Sequence, residues 1–242
     1  MGKFGILVAA IAFCLSACSS SGVTVRGELA GFNGTAKMSA ELPGQGMVVL
    51  AEQQVEDGAI ELKTDQLTLP ARVWFYFNNG SDEYTREFII DQVDKTKISG
   101  KGKYLDQMTI SGSVLNKEYL ELKGQIGEKY DGAIAKATKA IEKLRAKEKP
   151  TTTDRTLLVY NQNSLEKNLG ARFRYVKSLI ETNADMEIVL FVLKDMLKDS
   201  VNVQKEVFNK LKIENKGSNI YMVLDADLNG AAAPSEAAPV AE

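Results

Sequence analysis

The spacing of apolar residues changes near residue 113, and this change constrains the fold more than any other feature of the chain. Before it, short runs alternate between apolar and polar residues and are broken by turn residues, as in half-buried antiparallel strands. After it, Tyr119, Leu122, Ile126, Tyr130, Ala133, Ala137, Ile141 and Leu144 recur every three or four positions. They therefore share one stripe of a helix about 30 residues long. Strands followed by helices, rather than alternating with them, predict an α+β chain. The expected organisation is an N-terminal antiparallel β-sandwich-like domain over 23–112 and an α-helical domain over 113–228. A chain with 44% hydrophobic and 26% charged residues has the composition to pack both.

Within the first half, Val23, Val25, Gly27 and Leu29 open with period two, and residues 47–50 read as a short apolar strand. Glu56-Asp57-Gly58 and Asn78-Asn79-Gly80 are hairpin-type turns, because Asp, Asn and Gly tolerate the positive φ of a tight reversal. The clearest strand covers 72–77, with its return over 84–90. Val73, Phe75 and Phe77 share one face of it, Trp74 and Tyr76 the other. Two apolar faces predict a sandwich with a further layer outside it, supplied by the helices that follow. Trp74 and Tyr76 are candidates for a ligand or partner surface, where amphipathic aromatics are favoured; core or interdomain packing is the competing reading. Further helices are expected over 154–182, 186–197, 203–213 and 218–228. Gly124, Gly127 and Gly132 each cost the long helix roughly 1 kcal/mol relative to Ala, which predicts a bend or close packing there. The segment 229–242, rich in Ala, Pro and Glu, has no periodicity and reads as a disordered tail.

The amino terminus reads as a leader. Met1-Gly2-Lys3 is a short positive region, and residues 4–15 form an apolar run of about 12, short of the roughly 20 that a spanning helix needs. Leu15-Ser16-Ala17-Cys18 resembles the bacterial lipobox. The expectation is a signal peptide over 1–17, a lipidated Cys18 and a polar tether over 18–22. Each buried acyl methylene contributes about 0.8 kcal/mol, so several chains on one Cys hold firmly. The chain contains no His, and its two Cys are Cys14 and Cys18. Thiol and imidazole catalysis, His or Cys metal sites and structural disulfides are thereby excluded from the body. Lys3 is the leader's only charge, so the rest has one short of 30 basic residues against 32 acidic ones. This balance carries no global footprint for nucleic acid. No cofactor is expected.

Several short motifs occur in one order behind the lipobox. They are Val23-Thr-Val-Arg-Gly27-Glu-Leu29, Val55-Glu-Asp-Gly58-Ala-Ile60-Glu-Leu62, Phe88-Ile-Ile-Asp91, Ile98-Ser-Gly100, Ile110-Ser-Gly-Ser113 and Leu179-Ile-Glu-Thr-Asn183. This order resembles the N-terminal part of Bacteroides-type lipoproteins related to the TlpA and ResA thiol-disulfide reductases. In that family a β-rich domain of unknown function and a helical segment precede a thioredoxin domain. Ala184 stands where the family usually has Pro. Gly230-Ala-Ala-Ala233-Pro234 sits where the thioredoxin domain would open, eight residues before the end of the sequence. The resemblance therefore implies the accessory region without the thioredoxin domain, and no catalytic residue is carried over. It implies a non-catalytic lipoprotein of the bacterial cell envelope, anchored at Cys18. The tether lacks the acidic cluster that resembles a surface-export signal, which favours a periplasm-facing outer-membrane position. An envelope protein or a thioredoxin-like protein is the implied partner.

Other constellations are weighed against simpler explanations. Asp225, Asp227, Asn229 and Glu236, with Gly230, match the ligand spacing of a calcium-binding EF-hand loop. Pro234 and the lack of an exiting helix instead favour a helix end running into a tail. An alternative to the non-enzyme reading is an extracytoplasmic hydrolase. It would use Ser164 with Lys167 at S-x-x-K spacing, or a pair among Asp82, Glu83, Asp91 and Asp94. Chance spacing on a helix and a solvated sheet edge account for the same residues. Lys136, Lys139, Lys143, Arg145, Lys147 and Lys149 face only Glu142 and Glu148 in their run. That patch is read either as resting on anionic lipid or as complementing a helix dipole.

Overall fold

The computed structural model describes residues 22–230. Cys18, Glu236, the leader and the sequence after Gly230 lie outside the described residues. The first half forms β1 (Val23–Ala30), β2 (Gly34–Leu42), β3 (Gly46–Val55), β4 (Ala59–Thr64), β5 (Ala71–Asn78), β6 (Glu83–Ile90), β7 (Lys97–Lys101) and β8 (Thr109–Ser111). Two four-stranded sheets result, ordered β4-β1-β7-β8 and β3-β2-β5-β6. They enclose Val25, Leu29, Met38, Val73, Phe75, Phe77 and Ile98, all almost wholly buried. Val73, Phe75 and Phe77 point inward as their period-two spacing requires, and Phe32 meets Phe77 edge to face at 6.1 Å.

The turn at Glu56 is as expected, with Asp57 and Gly58 at φ of 55° and 84°. One pairing departs from the antiparallel expectation. β1 and β7 run parallel, from Arg26 beside Lys97 to Ala30 beside Lys101. A parallel neighbour needs a long connection, and the hairpins of the second sheet fill it. The strands approach closely at Gly27, where a Cβ would lie 2.2 Å from the Ile98 carbonyl oxygen. β3 is longer than the apolar stretch at 47–50 suggests. It carries a bulge, because Met38 pairs with Ala51 while Ser39 pairs with Val49.

The second half forms α1 (Val114–Ile126), α2 (Gly132–Arg145), α3 (Thr152–Thr182), α4 (Ile188–Met196), α5 (Val201–Phe208) and α6 (Asn219–Asn229). Ser113 caps α1 by accepting from the Asn116 amide, and Asp91 accepts from Leu115 N beside it. The single long helix expected from the stripe at 119–144 is α1 and α2 joined by a π-helical turn at Gly127–Asp131. The glycines that flag a bend bracket that turn. Thr151 and Asp154 form a reciprocal capping box at the start of α3. α4 is apolar all round and buried from Ile188 to Leu193, as a central helix must be. α5 is shorter than the periodicity over 203–213 indicates. After Phe208 the chain turns back, and Lys212 N donates to the Ala184 carbonyl.

α2 and α3 form an antiparallel hairpin. α2 packs chiefly on α3 and buries only Ala137 and Ile141 fully. Its 14 residues thus make an arm about 21 Å long. Among the described residues no helix is long and apolar enough to cross a membrane.

Candidate partner-binding surface

The site is built on the outer face of the β3-β2-β5-β6 sheet. Alternation along β5 sends Arg72, Trp74, Tyr76 and Asn78 away from the sandwich core. The helices cover one end of this face. Ile89 of β6, beside Arg72, belongs to the helical core. The start of α6 docks on the chain before β5, with Asn219 N donating to Thr68 O and the Asn219 side chain donating to Glu41 O, both at 3.0 Å.

Arg72 fastens this junction. Its side chain is only 8% exposed and grips the Asp195 carboxylate of α4 bidentately, at 2.5 and 2.8 Å. The guanidinium lies over the rings of Tyr119 and Phe191, 5.5 and 5.4 Å from their centroids. Its Nε is 3.0 Å from Glu87 Oε1 but lies off the line of a hydrogen bond, so that contact is purely ionic. The Tyr119 hydroxyl donates to Asp195 as well. Burial alone would weaken the hold of Arg72 on its proton. Asp195, followed by Glu87, more than offsets this, and the guanidinium is driven further toward its charged form. Burial, then the hydrogen bond to Asp195, pushes the Tyr119 phenol well above its ordinary value. Lys194 adds a second link, meeting Glu41 at 3.0 Å and Asp227 at 3.1 Å.

Beyond this junction the face is open. One row across the sheet reads Val49, Ser39, Trp74, Glu87; the next reads Glu52, Lys37, Tyr76, Thr85; the third reads Gln54, Thr35, Asn78, Glu83. Trp74 and Tyr76 are half-buried. Met47 and Val49, on β3, stand 56% and 53% exposed. The Tyr76 hydroxyl is held by Asn78 Nδ2, which also reaches Glu83; Thr35 donates to Gln54, and Lys37 pairs with Glu52. An apolar band of Met47, Val49 and Trp74 thus lies beside polar groups already oriented by one another. Such a surface can hold an amphipathic partner with little ordering cost.

Neither a family model, a curated protein nor a solved structure matches this chain.

The remaining candidates sit on α3, on α6 and at the two ends of β6. α6 runs through Asp225, Asp227 and Asn229, so the EF-hand spacing is not folded as a loop. Asn229 donates to Asp225 along one helix face, while Asp227 turns to Lys194. No group of three metal-ligating side chains occurs among the described residues. Ser164 and Lys167 lie on α3, where the Ser164 hydroxyl meets Asn168 Nδ2 at 3.5 Å. Asp82 immediately precedes β6 and Glu83 begins it, while Asp91 and Asp94 follow its far end. The length of β6, about 25 Å, separates the two pairs far beyond the ~5–9.5 Å of a glycosidase carboxylate pair. Asp91 is moreover engaged at the start of α1. Sequence reasoning missed Met47, Val49 and the partnership of Arg72, Tyr119 and Asp195. Residues 47–50 are a continuous apolar run, which gives no sign of which side chains the bulged strand turns outward.

Proposed function

We propose that this chain is a membrane-anchored, non-catalytic envelope lipoprotein, a binding or scaffold module related to the accessory region of TlpA-like reductases. Its anchor is Cys18 and its location the periplasm-facing outer membrane. The open aromatic face supports this reading most directly. Met47, Val49, Trp74 and Tyr76 leave apolar area in water beside polar groups already arranged, on a sheet whose other end is fixed by Arg72. The partner is an envelope protein or a thioredoxin-like protein that lays an apolar segment across the band. The scarcity of reactive side chains in the sequence body agrees with a module that holds rather than transforms.

Crosslinking in cells followed by mass spectrometry tests it, comparing the unaltered protein with Met47→Glu/Val49→Glu and with Trp74→Ala. The first pair alters exposed positions and spares the core. Loss of the same crosslinked partner in both is expected. An unchanged crosslink pattern overturns the surface, an unmodified Cys18 in mature protein overturns the anchor, and turnover of esters or glycosides by purified protein overturns the non-catalytic reading.

A further inference from the structure

The α2–α3 arm carries a separation of charge that neither core explains. On α2 the side toward α3 is Ile134, Ala137, Thr138, Ile141 and Leu144, all partly or fully buried. Lys136, Lys139 and Lys143 are exposed at spacings of three and four, so they share the face turned away from α3. Of the six basic residues over 136–149 only Lys147 is paired among the described residues, with Asp154 at 2.5 Å; Lys136, Lys139 and Lys143 make no ion pair there. Residues 136–149 carry six basic side chains against two acidic ones, a local +4. On a chain of net −2, that leaves −6 for everything else. The exposed large apolar residues of the arm, Leu157, Val159, Tyr160 and Leu169, all stand on α3 and none on α2, so the lysine edge of α2 presents charge rather than apolar area.

We propose that the outer edge of α2, carrying Lys136, Lys139 and Lys143, docks on an anionic bilayer surface. Charge complementarity selects that occupant: a negative surface draws in the arm and repels the acidic remainder, so one orientation is preferred. The choice of a bilayer among polyanions rests on the proposed anchor at Cys18, which would keep the arm close to lipid. Each lysine at such a surface strengthens partitioning roughly fivefold, and the effect fades beyond a Debye length, about 10 Å in 0.1 M salt and 3 Å in 1 M.

The test uses a chain beginning at Gly22, which keeps all eight strands and six helices and has no anchor of its own. It is sedimented with vesicles of phosphatidylglycerol and phosphatidylcholine, or of phosphatidylcholine alone. Binding to the anionic vesicles only, abolished in 1 M salt, is expected. Lys136→Glu/Lys139→Glu/Lys143→Glu should lose binding by about a hundredfold or more, and the Gln triple should lose most of it. The charge-matched control Lys97→Glu/Lys101→Glu/Lys103→Glu, on β7 and in the turn after it, should lose little. Thermal melts establish that each variant is folded. Absence of binding to anionic vesicles, equal binding to neutral ones, or equal loss in the arm and control variants overturns the proposal. Failure of the anchor would appear separately, as an unmodified Cys18, and leaves this measurement unaffected.

Discussion

Arg72→Ala is the most informative single perturbation, because it removes the side chain that joins the two hydrophobic cores. Arg72 is 8% exposed, and its loss leaves the Asp195 carboxylate without its bidentate partner. Breaking a buried ion pair from one side costs about 3–5 kcal/mol, against the near-neutral cost of replacing both members with apolar groups. Asp195 retains 27% exposure, so water partly replaces the guanidinium and the lower end, about 3 kcal/mol, applies. With a urea m-value of about 2–3 kcal/mol/M, the midpoint should fall by about 1–1.5 M. The two cores should also separate in their unfolding. Trp74 is the chain's only tryptophan and lies on β5, so its fluorescence follows the sheet while circular dichroism at the helical minimum follows α1–α6. In the unaltered protein the two transitions should coincide, and in Arg72→Ala the helical signal should melt first. A double-mutant cycle with Asp195→Ala should give at least about 1.5 kcal/mol of coupling. A shift below about 1 kcal/mol with coincident transitions and no coupling would refute the argument that this contact joins the two halves.

Tyr119→Phe should cost about 1.5 kcal/mol through loss of its charge-assisted hydrogen bond to Asp195, read as a fall in Tm of about 3–6 °C. Gly27→Ala should cost about 1–3 kcal/mol or prevent folding, since the new Cβ meets the Ile98 backbone, whereas Gly132→Ala on α2, with open space around it, should stabilise by up to about 1 kcal/mol in urea titration. The Lys147 ammonium, then the Thr151 amide and hydroxyl, hold the Asp154 carboxyl down to about 2. The contribution of this cap is therefore complete above about pH 4, where the unfolded carboxylate is ionised, and is lost as pH falls through about 2; an NMR titration midpoint near 4 for Asp154 would contradict it. Asn116→Ala should expose the amide of Ile89 on the edge of β6, detected as faster hydrogen exchange at that residue with the rest of β6 unchanged.

The order of strands then helices was legible because one face of each element is buried, which imposes period two on Val73, Phe75 and Phe77 and period 3.6 on Ile126, Ala137 and Ile141. Turns were legible where chemistry demands them, as at Asp57-Gly58. The parallel partner of β1 was not, since Ile98 and its neighbours alternate in the same way whichever direction they run. Helix ends at Phe208 and Met196 were misjudged because apolar residues beyond them, such as Ile213 and Leu197, stay buried after the helix has stopped. The aromatic pair was found from its alternation on β5. Its open setting depends on where the helices come to rest, and this is decided by Arg72 meeting Asp195, 123 positions later. A lone arginine in a strand announces no such partner.

The placement of β1 between β4 and β7 also orders the birth of the molecule. Emerging amino end first, this strand acquires its neighbour on one side once residue 64 is free, but the opposite side stays bare until residue 101 follows. The hairpins of the other sheet close locally in the meantime. The first strand thus waits longest for its second neighbour, and until then its exposed amides and carbonyls can pair with any passing strand, so a holding chaperone has most to protect at this one ribbon.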